Sequence, residues 1–124
     1  MSSWAEHELE QAEVSDELHV SSYRQDGTLR PYVAIWAVRL GDAVYVRSAY
    51  GPGNGWFRRA KASGTGRVRV GDVERDVRFE VPADDVHPSL DDVYRAKYGR
   101  YGRRMVDTVA GPALTGATLR VVPA

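Results

Sequence analysis

The chain has 124 residues, a formal net charge of zero and no cysteine, and 43% of its residues are hydrophobic. A chain of this length forms one domain with an ordinary core. Without cysteine it has neither disulfides nor thiolate metal sites. No apolar run approaches the roughly 18 residues of a membrane span, and the acidic N-terminus does not resemble a signal peptide. We therefore expect a single domain over residues 1–124, located in the cytoplasm and without a membrane partner.

Charge is unevenly distributed along the chain. Acids dominate residues 1–26, whereas bases dominate the stretch between Asp26 and Asp72, where Asp42 is the only acid. A middle third this basic indicates an anionic ligand. The zero net charge argues against a general nucleic-acid partner, because such proteins usually carry a basic excess.

The first part of the chain is predicted to form one helix and three strands. Ser3 and Glu6 fit a capping box for a helix over about residues 4–14. Strand one spans residues 18–23, and Asp26-Gly27 predicts a two-residue hairpin turn into strand two, residues 29–40. Strand two is apolar on both faces around its middle, which indicates a central strand. A tight turn at Gly41-Asp42 leads to strand three, residues 43–49.

The second part alternates helices and strands. A glycine loop precedes a helix at residues 56–62, followed by strands at 67–70 and 73–81 that flank a tight turn. Ser89 and Asp92 fit a capping box for a helix over about residues 90–98, and another helix at about 103–110 precedes a last strand at 118–122. This order predicts an α+β fold, mainly β: a six-stranded antiparallel barrel with flanking helices.

The stretch from Ala43 to Ala62 gives the clearest indication of a binding site. A strand end, a glycine loop and the start of a basic helix bring backbone N–H groups and cations together, which favours a phosphate or another anion. The alternative for any single base is a solvated helix face. The residues concerned are Arg47, Ser48, Gly53, Gly55, Trp56, Arg58, Arg59 and Lys61.

Two neighbouring bases have a structural explanation. If Gly71-Asp72 is a two-residue turn, Arg69 lies opposite Glu74 and Arg67 lies opposite Asp76. Opposite charges across paired strands stabilise a sheet. We therefore interpret both arginines as hairpin residues.

The turn at Gly41-Asp42 places Arg47 opposite Trp36, and Val38 opposite Tyr45. Aromatic rings beside a cation could hold a flat, ring-shaped ligand. The alternative is a cation–π pair on the outside of the sheet. A one-residue slip in register would exchange the two faces, so both interpretations stay open.

The sequence gives little support for a metal site, a hydrolase nucleophile, a P-loop or a nucleic-acid site. The three histidines have no metal-ligand spacing, and no nucleophile elbow or P-loop is present. Bases at 97–104 lie among Tyr94, Tyr98 and Tyr101. Such a cluster could stack nucleic-acid bases, but packing of the tyrosines against the core is the favoured interpretation.

These motifs resemble a bacterial family, domain of unknown function 2255. More distantly, the chain is similar to split β-barrel proteins that bind flavins or deazaflavins, namely deazaflavin-dependent nitroreductases and the pyridoxamine phosphate oxidase-like group. The similarity covers about residues 18–123. A strand and basic turn correspond to Ser21–Gly27, and a strand ending in Ser, a glycine loop and a W-x-x-N-L-x-A helix correspond to Ser48–Ala62. Arg59 stands where that pattern has Asn.

The resemblance implies a split barrel that forms a homodimer and binds a small-molecule ligand. It also implies an oxidoreductase whose cofactor is FMN or a deazaflavin. Its implied cofactor residues hold the phosphate or flank the ring: Arg24, Arg30, Trp36, Tyr45, Arg47, Ser48, Gly53, Gly55, Trp56, Arg59 and Lys61. Tyr23, Tyr32 and Tyr50 are candidate proton donors. Two alternatives remain: a cofactor-free isomerase, cyclase or hydrolase acting on a small metabolite in the same cavity, and a non-catalytic binding protein.

Overall fold

The computed structural model describes residues 3–124. Four α-helices and seven β-strands follow one another, joined in places by short 3₁₀ helices. Their order is α1 (Glu6–Val14), β1 (Leu18–Ser22), β2 (Val33–Ile35), β3 (Ala37–Leu40), β4 (Ala43–Arg47), α2 (Gly55–Ser63), β5 (Thr65–Val70), β6 (Val73–Glu80), α3 (His87–Tyr98), α4 (Arg103–Val106) and β7 (Thr118–Pro123).

The strands form one antiparallel sheet in the order β2-β1-β5-β6-β7-β4-β3. Its two outermost strands, β2 and β3, are separated in the chain by Trp36 alone. Because one residue joins the two edges, the sheet must curl round on itself into a nearly closed barrel. The predicted α+β barrel with flanking helices is confirmed. The predicted strand two is interrupted at Trp36, so seven strands are present where six were expected.

Apolar side chains fall into two clusters, one on each face of the barrel wall. Val46 and Val68 are in the inner cluster, against which α1 and α2 pack. Val38 and Tyr45 are in the outer cluster, with Leu90 of α3. Alternate residues of a strand point to opposite faces. A strand that is apolar on both faces therefore contributes to both clusters, with its outer face covered by a helix.

The two tight hairpins have the predicted register. Val38 pairs with Tyr45 across Gly41-Asp42, and Arg67 pairs with Asp76 in the β5–β6 hairpin. Arg67 donates to both Glu74 and Asp76 at 3.0 Å. These two acidic hydrogen-bond partners raise the pKa of Arg67 further above its already high ordinary value. Arg69 pairs with Glu74, and its Nε lies 3.3 Å from a Glu74 carboxylate oxygen. The structural interpretation of both hairpin arginines is therefore confirmed.

Three local predictions are wrong. Helix α1 begins at Glu6, two residues later than the predicted capping box places it, and Glu8 accepts the Ala5 N–H at 2.8 Å. Helix α3 begins at His87, where Pro88 supplies a fixed φ suited to a first turn. The hairpin after β1 closes through the Arg24 N–H and Thr28 carbonyl rather than a two-residue turn, because Asp26 does not take a positive φ.

The C-terminal basic cluster packs against the body of the protein. Tyr94 and Tyr98 are fully buried, as the packing interpretation predicted, whereas Tyr101 is 43% exposed. Lys97 donates to the Ala12 and Ala37 carbonyls at 2.8 and 2.7 Å, and burial lowers its pKa to about 8. Among residues 3–124, none of the helices combines the length and apolar character needed to cross a bilayer.

Candidate functional site

An apolar cavity of about 310 Å³ opens beside the broken strand. One wall is β2 together with Trp36, and the opposite wall comes from the loop and helix after β4 and from the segment after α3. Its size lies at the lower end of small-molecule pockets. We call it the ring cleft. The residues of the second wall are Ala49, Tyr50, Asn54, Trp56, Met105, Thr108 and Val109.

Trp36 is a rigid part of this cleft. Its ring stacks on Tyr98 with centroids 4.1 Å apart and planes 5° apart, and its carbonyl accepts from the Tyr94 hydroxyl at 3.0 Å. The Tyr98 hydroxyl accepts the Ala37 N–H at 3.1 Å and donates to the Asp16 carbonyl at 2.7 Å. Burial raises the pKa of Tyr98, so it stays neutral and keeps these bonds. The aromatic surface is held in place before any ligand arrives.

A second cavity, of about 800 Å³, lies beside α2 and the β1 hairpin, and we call it the basic groove. None of its lining residues, all within the described part of the chain, is acidic, whereas four are arginines: Arg24, Arg30, Arg58 and Arg59. Arg24 is fixed by its own loop, because its Nη1 donates to the Leu29 carbonyl at 3.0 Å. Uncompensated arginines along one groove favour an anion there.

A third and much smaller cavity lies between these two, and we call it the neck. It shares Val33 and Trp56 with the ring cleft and shares Arg30 and Arg59 with the basic groove. Its other lining residues include Ser21, whose hydroxyl donates to the Arg30 carbonyl. The shared lining residues place the three cavities side by side, apolar at one end and basic at the other, and we call this row the channel. The neck itself encloses only about 10 Å³, roughly the space that one water molecule needs, so a larger group passes through it only if the neck widens.

Arg30 has an unusual feature at the junction of neck and groove. Its Nε is buried and has no hydrogen-bond partner among the described residues. An unpaired buried donor costs free energy, about 1–3 kcal/mol. A ligand that brings a hydrogen-bond acceptor to this atom would satisfy it. An unpaired arginine donor is therefore a feature expected of an anion-binding site and not of a hydrophobic core.

Arg47 lies elsewhere, with its side chain fully buried between β4, α3 and the chain before β7. It donates to Asp91 at 2.6 Å, to the Val109 carbonyl at 2.9 Å and to the Thr118 hydroxyl at 3.0 Å. Its partners come from far along the sequence, and for this reason the acid-free window around Arg47 showed none of them. Arg47 also forms part of the floor of the ring cleft.

The other predicted cofactor residues are scattered. Trp56 is buried between the ring cleft and the neck. Tyr45 lies beneath α3 in the outer core cluster. Ser48 is completely buried, and its hydroxyl has no partner within the described chain. Lys61 is exposed on α2 and does not line the groove.

The two predicted loop glycines lie at the start of α2. Gly53 is exposed in the loop, and Gly55 is the first residue of the helix. A Cβ at Gly55 would meet Arg59 Nη1 at 2.7 Å. The guanidinium of Arg59 therefore folds back over the first turn of its own helix, next to the backbone N–H groups that are free there.

The three candidate tyrosines differ in their surroundings. The Tyr23 hydroxyl donates to Asp76 at 2.7 Å, which raises the pKa of Tyr23. The Tyr32 ring lies 4.2 Å from the Arg69 guanidinium, and its hydroxyl is buried without a partner among residues 3–124. Tyr50 is 87% exposed and lies at the mouth of the ring cleft. Of the three, Tyr50 alone combines a free hydroxyl with access to the cleft.

Sequence reasoning missed the wall contributed by Met105, Thr108 and Val109. Nothing in the sequence places them near β2, because the contact depends on how α3 and the following chain fold back over the barrel. Asn54 was also missed, although its place in the glycine loop made it the one polar side chain that could have been singled out.

Solved structures show the same fold. An F420 reductase aligns over 92% of this chain and 89% of its own, with a TM-score of 0.55 and 19% identity. Rv2991, a conserved hypothetical protein from Mycobacterium tuberculosis, aligns over 99% and 81%, with a TM-score of 0.60 and 13% identity. The FAD and heme binding protein from Mycobacterium smegmatis aligns over 99% and 67%, with a TM-score of 0.56 and 20% identity. The chain therefore has the split β-barrel fold.

The sequence itself identifies the family. Residues 8–121 match the family described as "Uncharacterized protein conserved in bacteria (DUF2255)". Because the match spans most of the chain, this protein belongs to that family, and the resemblance noted from its motifs is confirmed. No curated protein matches the chain significantly.

Proposed function

We propose that this protein binds FMN or a deazaflavin and acts as an oxidoreductase on a small organic molecule. One observation carries the proposal: an apolar cleft beside an aromatic wall, a small neck bordered by serines and a groove of arginines lie next to one another in that order. A flavin-type cofactor has the same order of parts, with a flat ring, a hydroxylated chain and a phosphate. The names of two similar structures, an F420 reductase and an FAD and heme binding protein, support the same class of ligand.

The residues present fit such a group. The ring would lie against Val33–Trp36, opposite Trp56. The phosphate would lie in the basic groove, where the buried Nε of Arg30 lacks an acceptor. Charge-assisted hydrogen bonds each contribute about 1.5–3 kcal/mol. Two or three of them, with burial of a ring, give micromolar binding or better.

Among the predicted phosphate ligands, the proposal keeps Arg24, Arg30 and Arg59, and it adds Arg58 because that side chain also lines the groove. Arg47 has its donors occupied by protein groups. Lys61 lies outside the groove lining. Both are therefore assigned no phosphate contact in this proposal, and comparison of Lys61→Ala with Arg59→Ala tests the assignment on α2.

The cofactor would supply the hydride chemistry when bound. The chain's own residues would bind and orient it: the aromatic wall fixes the ring, and the arginines fix the phosphate. Apolar side chains of the cleft would exclude water from one face of the ring. Tyr50, exposed at the mouth, is placed to donate a hydrogen bond or a proton to a substrate that enters there.

The test is a titration of the purified protein with FMN and, separately, with a deazaflavin, following cofactor fluorescence and the absorption spectrum. We expect saturable binding of at least one of them, at one cofactor per chain. The matched control is the Ala34→Trp variant, which fills the cleft from an exposed position of β2. If the wild type binds neither cofactor, or if the variant binds as tightly as the wild type, the proposal is wrong, and the cofactor-free alternatives take its place.

The homodimer and the cytoplasmic location remain part of the proposal. Tyr50 and Met105 are both at least half exposed at the mouth of the ring cleft, where a second subunit could cover the cofactor. Light scattering coupled to size-exclusion chromatography, with and without FMN, would show whether a dimer forms.

A further inference from the structure

The segment from Gly102 to Gly111 forms one wall of the ring cleft. It contains the four-residue helix α4 and presents Met105, Thr108 and Val109 to the cleft. Glycine stands at both ends, with φ of 94° and 114°, values that other residues rarely adopt. The wall is therefore a short unit that joins the rest of the chain at two glycine positions.

Two kinds of contact hold this segment in place. Val106 and Val109 are buried in the outer core cluster, which attracts the segment without fixing its direction. A buried ion pair supplies the direction. Arg47 Nη1 donates to the Val109 carbonyl at 2.9 Å and to Asp91 Oδ1 at 2.6 Å, and the same Oδ1 accepts the Gly111 N–H at 3.0 Å.

The pair itself is anchored outside the segment. Arg47 belongs to β4 and also donates to the Thr118 hydroxyl at the start of β7, whereas Asp91 belongs to α3. Burial opposes the charge on Asp91, but the hydrogen bonds from Gly111 and Arg47 outweigh it and hold the pKa of Asp91 below its ordinary value. The segment is thus bonded at two backbone positions to a charged pair carried by the barrel wall and by α3.

We propose that Arg47 and Asp91 are positioning residues that hold the Gly102–Gly111 segment against the ring cleft and so set its width for the ligand. The effect on the ligand rests on the proposed function, but the positioning of the segment does not. Removing one member of a buried pair leaves the other charge uncompensated. The Val109 carbonyl and the Gly111 N–H then lose the partners that fix them, and the wall moves away from β2.

The test uses Asp91→Asn, which keeps the shape of the side chain but removes its charge. Arg103 and Arg104 are exposed in the segment and provide trypsin sites. We expect cleavage after these residues, measured by mass spectrometry relative to cleavage after Arg24, to rise about tenfold in the variant. FMN affinity should fall by a similar factor.

Val68→Ala is the control, because Val68 is a fully buried residue of the inner cluster, whereas the segment packs in the outer cluster. The two variants are compared at temperatures equally far below their melting points. If both show the same relative cleavage after Arg103 and Arg104, the pair contributes general stability only and the proposal is overturned. If FMN fails to bind even the wild type, the proposed function is lost, while the cleavage ratio still decides the positioning of the segment.

A measurement on the wild type keeps the proposal testable if Asp91→Asn does not fold. Hydrogen exchange by nuclear magnetic resonance reports how well each backbone amide is held. We expect the Gly111 amide to be protected, because Asp91 accepts from it. Exchange at Gly111 as fast as at the amide of the exposed Gly53 would overturn the proposal.

Discussion

Arg59→Ala separates the phosphate contribution from every other part of cofactor binding. FMN and riboflavin share the ring and differ in the phosphate, so a residue that binds only the phosphate should affect FMN alone. A charge-assisted hydrogen bond contributes about 1.5–3 kcal/mol, equivalent to about a 10- to 150-fold change in Kd. Because Arg59 is partly exposed, we expect the lower part of that range, a loss of about 10- to 30-fold for FMN.

The assay is a fluorescence titration of both ligands against wild type, Arg59→Ala and Lys61→Ala. Lys61 belongs to the same helix but lies outside the basic groove, so its removal should change FMN affinity less than twofold at moderate salt. Alanine favours the helix, and thermal denaturation would show that Arg59→Ala is folded. An equal loss of affinity for riboflavin and FMN, or a larger loss in Lys61→Ala than in Arg59→Ala, would refute the placement of the phosphate.

Three further predictions concern the cleft, the barrel and pH. Ala34→Trp should abolish binding of both FMN and riboflavin without lowering the melting temperature, because Ala34 is exposed yet lines the cleft; unchanged titrations would contradict this. Gly66→Ala should destabilise the fold by more than ~2 kcal/mol in urea unfolding, because its Cβ would clash with the Ser21 carbonyl oxygen. The pKa of Asp91 is lowered from 3.8, so the unfolded chain binds more protons near that pH. Asp91 therefore stabilises the native state above about pH 4 and ceases to do so as the pH falls through its lowered pKa. The stability deficit of Asp91→Asn should shrink below pH 4, and a deficit that is constant with pH would show the charge to be irrelevant.

The barrel was accessible from the sequence because its determinants are local. The Gly41-Asp42 and Gly71-Asp72 turns fix two hairpins, and the charges of Arg67 and Asp76 match across one of them. The break at Trp36 was not accessible, since a strand with apolar residues on both faces looks continuous. That break is a tertiary effect: Trp36 stacks on Tyr98 of α3, and the strands on either side of it pair with opposite ends of the sheet.

The candidate site was only partly accessible. Arg24 and Arg30 were singled out by resemblance to a known pattern, and Arg59 by its place in the basic helix after the glycine loop. All three line one cavity. Arg47 was grouped with them because no acid lies near it in the sequence, yet Asp91 reaches it from α3. Spacing along a chain shows which residues share a helix turn or a hairpin. It does not show an ion-pair partner that lies on a distant helix packed against the strand.

The ring cleft illustrates the same limit. Its β2 wall was expected from the resemblance, whereas Met105, Thr108 and Val109 come from a segment with no recognisable motif. The polar and apolar ends of the channel are contributed by separate parts of the chain. Only the curled sheet brings them together, and it does so because Trp36 joins its two edges.

A crystal structure of the protein soaked with FMN tests the central claim most directly. We expect the ring to lie between Val33–Trp36 and Trp56, and the phosphate to accept hydrogen bonds from Arg30 Nε and Arg59. Density for FMN outside the channel, or an empty channel in crystals held at an FMN concentration well above that needed for saturation in solution, would contradict the account.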